Sequence, residues 1–117
     1  MMEQWSSSLD FRALATKYGT PLYLFHPAQL KENAAQFLRL VHKPENIAFP
    51  VKACPAAPVL RMMADMGLSA DCAAASEISI ALDAGFPCQR IFYNSPVICE
   101  VTAKDVLASG GVVVLND

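Results

Sequence analysis

The sequence predicts an α/β fold in which parallel strands alternate with helices. Short apolar runs that suit strands are separated by segments with apolar residues at helical spacing, and the connections are short. Hydrophobic residues make up 54% of the 117 residues, and the mean hydropathy is +0.31. These values indicate strands that are covered on both faces. A complete eight-stranded α/β barrel takes about 250 residues, so the chain can hold only part of one.

Five strands are predicted, over residues 21–26, 46–53, 69–73, 90–94 and 112–116. The first connecting helix is predicted from Pro27, which suits a first helical turn because its missing N–H costs nothing there, and its apolar stripe continues to Val41. The second runs from about residue 55 to a stop at Gly67, the third from a Ser76 cap to a stop at Gly85, and the fourth over residues 101–109.

The end of the chain carries a further expectation. The last predicted strand is apolar, and no residues after it could cover it. A parallel strand is normally covered on both faces, so this pattern favours an interrupted architecture and a truncated chain.

Composition and charge exclude several classes of function. A net charge of -2 and a pI near 5.6 provide no electrostatic footprint for nucleic acid or an anionic membrane, so a small molecule is the expected partner. The four cysteines lack the paired close spacing of a zinc site, so no metal is expected. There is neither a secretory signal pattern nor an apolar run of about 18 residues, which predicts a cytoplasmic protein.

Lys52 is the first candidate for chemistry, because it lies in an otherwise apolar predicted strand. Burying an unpaired ammonium is costly. A desolvated lysine is partly neutral near physiological pH and can form a Schiff base with an aldehyde cofactor or a carbonyl substrate. The alternative is that Lys52 lies near a strand end and extends into solvent.

Asp71 and Glu77 are the next candidates. Asp71 lies in the third predicted strand and Glu77 in the first turn of the helix that follows. If that strand belongs to a barrel, both carboxylates approach the face where such barrels place their chemistry, and both could orient the ammonium of Lys52. The alternative for Glu77 is a helix cap, since the macrodipole favours an acidic residue there. His26 and His42 are predicted to be structural or exposed.

Several sequence segments together resemble the barrel fold group of pyridoxal-phosphate (PLP) enzymes that contains ornithine, diaminopimelate and arginine decarboxylases, with alanine racemase as a more distant relation. YGTPLYLF (residues 18–25) is similar to the N-terminal segment of that family, and AFPVKA (48–53) to its lysine-bearing strand. ADCAAASEI (70–78), ALDAGFP (81–87) and RIFYNSP (90–96) resemble the segments that follow. Lys52 and Asp71 are nineteen residues apart, and Asp71 and Glu77 six, as in the family.

The resemblance implies a partial (β/α) barrel, about the first half of a PLP-binding TIM-like barrel. Residues 1–26 would be an N-terminal segment with a strand of a β-domain, and residues 27–117 a helix plus the half-barrel. Lys52 would be the internal aldimine lysine, with Asp71 also contacting PLP and Glu77 lining the pocket. The implied activity is decarboxylation of a basic or diamino amino acid by a homodimer, in lysine or polyamine biosynthesis. Further site residues of the family would follow Asp117, so the isolated chain is predicted to be inactive.

Two alternatives stay open. After the lysine the family usually has Ala-Asn or Cys-Asn, whereas here Cys54-Pro55 follows Ala53. This departure favours a non-catalytic binding protein that kept the fold. A racemase or PLP carrier of the same barrel group is a third possibility.

Overall fold

The structure, a computed structural model, describes residues 2–115 of the chain, with side chains from residue 5 onward. The chain divides into two compact units, Met1–Gln36 and Phe37–Asp117. The regular elements described in the first unit are helices, and all the described strands lie in the second. No described helix is long and apolar enough to cross a lipid bilayer.

The first unit contains α1 (Met2–Ser7), α2 (Phe11–Tyr18) and most of α3 (Pro27–Leu38). The Asp10 carboxylate caps α2 by accepting the N–H of Ala13 at 2.9 Å. Pro27 is the first residue of α3, as predicted, but α3 ends at Leu38 and does not reach Val41.

Residues 21–26, predicted to be a strand, form no strand in the described structure. Tyr23 is 84% exposed, and Leu22, Leu24 and Phe25 are also exposed. A strand exists only where its N–H and C=O groups pair with a neighbouring strand, and apolar composition alone does not supply that partner. The assignment of this segment to a β-domain stays a prediction.

The second unit alternates strands and helices: β1 (Ala48–Pro50), α4 (Ala57–Asp65), β2 (Ser69–Cys72), α5 (Ala75–Asp83), β3 (Ile91–Tyr93), α6 (Glu100–Ala108) and β4 (Val112–Val113). The strands form one sheet in the order β1-β2-β3-β4, and each neighbouring pair is parallel. The predicted alternation of parallel strands and helices is confirmed. Each strand is shorter than predicted, and residue 116 of the last predicted strand lies outside the described residues.

The first strand of the sheet is shorter than predicted at both ends, because 3₁₀ turns (Pro44–Asn46 and Val51–Ala53) flank it. The carbonyl of Val51 accepts the N–H of Cys54 at 3.2 Å. This bond closes the second turn and takes the carbonyl out of the sheet. The prediction that Lys52 lies within a strand is therefore wrong: Lys52 lies on the turn that follows β1.

The three helices of this unit end in the same way, as their glycines predict. At the end of α4, Gly67 has a φ of 86°, a conformation that favours glycine. The N–H of Gly67 donates to the carbonyl of Ala64 and the N–H of Leu68 to that of Met63, which is the Schellman arrangement. Equivalent bonds end α5 at Gly85 and α6 at Gly110. Each helix is thereby stopped, and the chain turns toward its next strand, which follows α5 after a further 3₁₀ turn (Cys88–Arg90).

The sheet has two different faces. The covered face consists of Ala70, Cys72, Ile91 and Tyr93, each at most 2% exposed. Ile91 lines a cavity together with residues of α5 and α6, so this face lies under the helices. Side chains alternate along a strand, so the intervening residues form the opposite or open face. Pro50, Asp71, Phe92 and Val112 of this face are paired in register and at least partly exposed, whereas Ser69 of β2 is buried.

Candidate active site

Lys52 lies at the carboxyl end of β1, on the 3₁₀ turn Val51–Ala53. Its side chain is exposed, while the preceding Val51 is fully buried. Of the two alternatives for Lys52, the described chain has the one near a strand end with the side chain in solvent, because β1 ends at Pro50 and the turn exposes the side chain of Lys52. The turn contacts both β2 and α5, so Lys52 lies beside the two elements that carry the other candidates.

Asp71 lies on β2, where its Cα is paired with Pro50 of β1 and Phe92 of β3. It belongs to the open face and is partly exposed. No hydrogen bond or ion pair engages its carboxylate within the described part of the chain. Asp71 is therefore an acidic group near the carboxyl end of the sheet that remains available to a ligand.

Glu77 lies in the first turn of α5 and is partly buried. Its Oε2 atom accepts the backbone N–H of Ala73 at 2.8 Å. The cap position of α5 is occupied by Ala74, which makes no side-chain hydrogen bond. The predicted Ser76 cap is therefore wrong, since that residue already lies inside the helix. The alternative role given to Glu77, at the helix start, is the one its contact supports.

Cys72 lies between the two acidic residues in sequence and is fully buried on the covered face. The pKa of its thiol is raised from 9.0 to about 12, mainly by burial and then by the negative charges of Glu77 and Asp71. Asp71 lies on β2, and the carboxylate of Glu77 contacts the backbone of Ala73 directly after that strand.

The structure does not show the predicted contact between Lys52 and these acidic groups. In the part of the chain that the structure describes, Lys52 forms no ion pair with Asp71 or Glu77 within 4.0 Å. The carboxylate of Glu77 is engaged by the backbone, which leaves Asp71 as the acidic group that is free to meet the amine. The roles of all three residues stay predictions.

Two residues near this end of the sheet were not identified as candidates from the sequence. Cys72 entered the sequence analysis only as one of four cysteines without zinc-site spacing, although the alternation along β2 places it on the face opposite Asp71. Tyr93 accepts the N–H of Cys99 through its hydroxyl oxygen at 3.1 Å, which ties the loop after β3 to the sheet. The alternation of side chains along β2 could have identified Cys72. The contact of Tyr93 depends on the conformation of the loop after β3, which the sequence does not reveal.

Other features lie away from this site. One cavity of about 230 Å³ lies between α5 and α6, and one of about 500 Å³ includes Ser69, Arg90 and Phe92. Neither is lined by Lys52, Asp71 or Glu77.

Across residues 2–115, no group of three His, Cys, Asp or Glu side chains is placed to hold a metal ion. His26 caps α3, because its Nδ1 accepts the N–H of Gln29 at 3.1 Å, and His42 is exposed.

The chemistry of these side chains fits an aldehyde cofactor. A covalent bond to an aldehyde requires a primary amine that the aldehyde can reach, and the exposed Lys52 supplies one at the carboxyl end of a parallel sheet. This end is where α/β barrels place their chemistry. Asp71, beside it on β2, is able to accept a hydrogen bond or a proton.

Comparison with known protein families agrees with this chemistry. The family model described as "pyridoxal-dependent decarboxylase, pyridoxal binding domain" matches residues 27–116. The diaminopimelate decarboxylase of Zymomonas mobilis is 36% identical over 85 residues, which are 69% of this chain and 20% of that protein. The diaminopimelate decarboxylase of Bacillus subtilis is 33% identical over 89 residues, 74% of this chain and 20% of that protein. The chain thus spans about a fifth of the curated relatives it matches.

Solved structures show the same fold. A diaminopimelate decarboxylase variant from Helicobacter pylori, complexed with L-lysine, superposes with a TM-score of 0.78 at 22% identity, covering 89% of this chain and 27% of that one. The lysine/ornithine decarboxylase of Vibrio vulnificus, complexed with putrescine, gives 0.77 at 21% identity, covering 91% and 29%. The predicted partial α/β barrel is confirmed. The chain belongs to the pyridoxal-dependent decarboxylase family, and residues 27–116 correspond to its pyridoxal-binding domain.

Proposed function

We propose that the protein is a PLP-dependent decarboxylase of a diamino or basic amino acid, with Lys52 as the residue that holds the cofactor. The observation that carries this proposal is the position of Lys52. Its accessible amine lies at the carboxyl end of β1, on a turn that contacts the elements bearing Asp71 and Glu77. The family membership of residues 27–116 supports the same cofactor.

In the proposed decarboxylation, Lys52 and Asp71 have different roles. Lys52 would hold the cofactor through its primary amine, the group that an aldehyde can bond. Asp71 accepts a proton or a hydrogen bond from that amine and orients it. When bound, PLP supplies the electron sink for the negative charge left on the substrate carbon as carbon dioxide departs.

Diaminopimelate is the substrate that the relatives favour, since both curated proteins described above are diaminopimelate decarboxylases. Solved proteins of the same fold are complexed with lysine, putrescine, cadaverine or agmatine. We therefore infer a diamino or basic substrate class, with lysine biosynthesis favoured over polyamine biosynthesis. A homodimer in the cytoplasm is part of the same proposal, and light scattering of the purified protein tests the dimer.

The test is a decarboxylation assay on protein expressed from its full reading frame. Carbon dioxide release is measured with PLP and, in separate reactions, diaminopimelate, lysine, ornithine and arginine. We expect release with at least one of them and a loss of at least about 10²-fold in Lys52→Ala. Lys43→Ala is the matched control, because Lys43 is an exposed lysine that precedes β1. Equal activity in wild type and Lys52→Ala contradicts the proposal.

A second candidate is a non-catalytic binding protein of the same fold. The Cys54-Pro55 pair after Ala53, together with the lack of an ion pair between Lys52 and either carboxylate among the described residues, favours it. This protein would bind an amino acid without releasing carbon dioxide, so calorimetric binding of diaminopimelate in the absence of turnover supports it. Product analysis separates both candidates from a racemase, which would invert the substrate and retain its carboxyl group.

A further inference from the structure

The backbone N–H of Ala73 lies where the ladder between β1 and β2 stops. At the start of the ladder, the N–H of Ser69 donates to the carbonyl of Ile47 at 2.9 Å. Hydrogen bonds in a parallel ladder recur every second residue along each strand. Continuing the same register by four residues would pair the N–H of Ala73 with the carbonyl of Val51.

In the structure that carbonyl does not pair with Ala73. Val51 has entered the 3₁₀ turn that carries Lys52, and its carbonyl accepts the N–H of Cys54 at 3.2 Å instead. The N–H of Ala73 therefore lacks its expected sheet acceptor at the point where the chain after β1 enters the 3₁₀ turn. The Oε2 atom of Glu77 supplies the missing acceptor at 2.8 Å.

We propose that Glu77 is a positioning residue whose carboxylate replaces the sheet partner of Ala73, so that the turn carrying Lys52 can form beside β2. The turn packs against both β2 and α5, the two elements that the bond from Glu77 to Ala73 joins. Glu77 acts through the backbone and does not touch the reacting atoms. This inference rests on the proposed function only in giving the Lys52 turn a role.

The same contact explains what removing Glu77 would do. Without the carboxylate, the Ala73 N–H would be left partly buried without an acceptor, an arrangement that folded proteins avoid. The nearest alternative acceptor for the Ala73 N–H is the Val51 carbonyl. To turn toward β2, this carbonyl would have to release the N–H of Cys54. The turn would then join the sheet and carry Lys52 away from its position.

The experiment compares Glu77→Ala with Glu77→Gln. Glutamine keeps an oxygen acceptor for the Ala73 N–H but has no charge and cannot take up a proton. Two quantities are measured on the full chain: the rate at which PLP attaches to Lys52, followed by borohydride trapping and peptide mass spectrometry, and the hydrogen exchange rate of the Cys54 amide, followed by NMR without any cofactor. The Gly85 amide, bonded to Leu82 at the end of α5, reports global opening.

We expect Glu77→Ala to slow PLP attachment by about tenfold, as a small misplacement of a reacting group does, and to accelerate exchange at Cys54 but not at Gly85. Glu77→Gln should stay within about threefold of wild type in both, because a neutral acceptor makes a weaker bond of the same geometry. The pH dependence of attachment should keep its wild-type midpoint in Glu77→Gln.

Three results overturn the inference: attachment as slow in Glu77→Gln as in Glu77→Ala, unchanged exchange at Cys54 in Glu77→Ala, or equal acceleration at Cys54 and Gly85. If Glu77→Ala does not fold, Glu77→Gln alone tests the proposal. A role that depends on the charge of Glu77 or on proton transfer predicts that PLP attaches slowly to Lys52 in Glu77→Gln and that the midpoint of its pH dependence shifts. If wild type attaches no PLP to Lys52, the proposed function fails, and the exchange measurement still decides the role of Glu77.

Discussion

The covered and open faces of the sheet are built from neighbouring residues of the same strands, yet their surroundings differ completely. On β2, Cys72 is fully buried and Asp71 is partly exposed; on β3, Ile91 is 2% exposed and Phe92 is partly exposed. Residues of α5 and α6 line a cavity with Ile91 of the covered face, and the free carboxylate of Asp71 lies on the other face. The comparison indicates that the covered face provides stability, while the open face and the adjoining strand ends provide the chemistry.

The largest difference between the faces should appear in Ile91→Ala and Phe92→Ala. Truncating the buried isoleucine should lower the free energy of unfolding by about 3 kcal/mol, because a cavity is left beneath α5 and α6. Truncating its partly exposed neighbour should cost about 1 kcal/mol. Urea unfolding measures both, and equal losses would contradict the assignment of the two faces.

A smaller effect should appear at high pH through Cys72. Its thiol has a pKa of about 12 in the folded protein, against an ordinary value of 9.0. Below pH 9 both states keep the proton; as the pH rises further, the unfolded chain loses it and the folded protein does not, so stability is lost. We expect the free energy of unfolding to fall by about 1 kcal/mol between pH 8 and pH 10.

The control for this pH effect is Cys72→Ala, which lacks the titrating thiol. Subtracting its pH dependence from that of wild type removes the contribution of the other groups that titrate in this range. Parallel curves for the two proteins would show that the thiol is not held protonated on the covered face.

The smallest effect on stability is expected from Asp71→Asn on the open face. The substitution keeps the shape of a partly exposed side chain, so the free energy of unfolding should change by less than about 0.5 kcal/mol. The rate of PLP attachment to Lys52 should fall by about tenfold, because asparagine cannot accept a proton from the amine. A large loss of stability with unchanged attachment would reverse the roles of the two faces.

Local patterns were enough to predict most of the fold. The stops at Gly67 and Gly85 depend on a backbone conformation that glycine favours, and the apolar periodicities mark helices and strands. The ends of the strands could not be predicted in this way. β1 ends at Pro50 because the Val51 carbonyl closes a turn with Cys54, and residues 21–26 have strand composition without strand pairing.

Local patterns also predicted which elements carry the site residues, but not how their side chains are placed. The sequence placed Asp71 on a strand and Glu77 in the first turn of the next helix, as the structure has them, since a short turn separates β2 from α5. The sequence offered both a buried and an exposed Lys52 and could not decide between them, because the outcome depends on where β1 stops. The contact from Glu77 to Ala73 could not be predicted either, because it depends on the Val51 carbonyl after β1 not pairing with the Ala73 N–H.

The most direct test of this account is to find the site of PLP attachment. The chain is incubated with PLP, reduced with borohydride and digested, and the modified lysines are quantified by mass spectrometry. We predict that the mass of the reduced cofactor appears chiefly on the peptide containing Lys52 and disappears in Lys52→Ala. A distribution spread evenly over exposed lysines such as Lys43 and Lys104, or no adduct at Lys52, would contradict it.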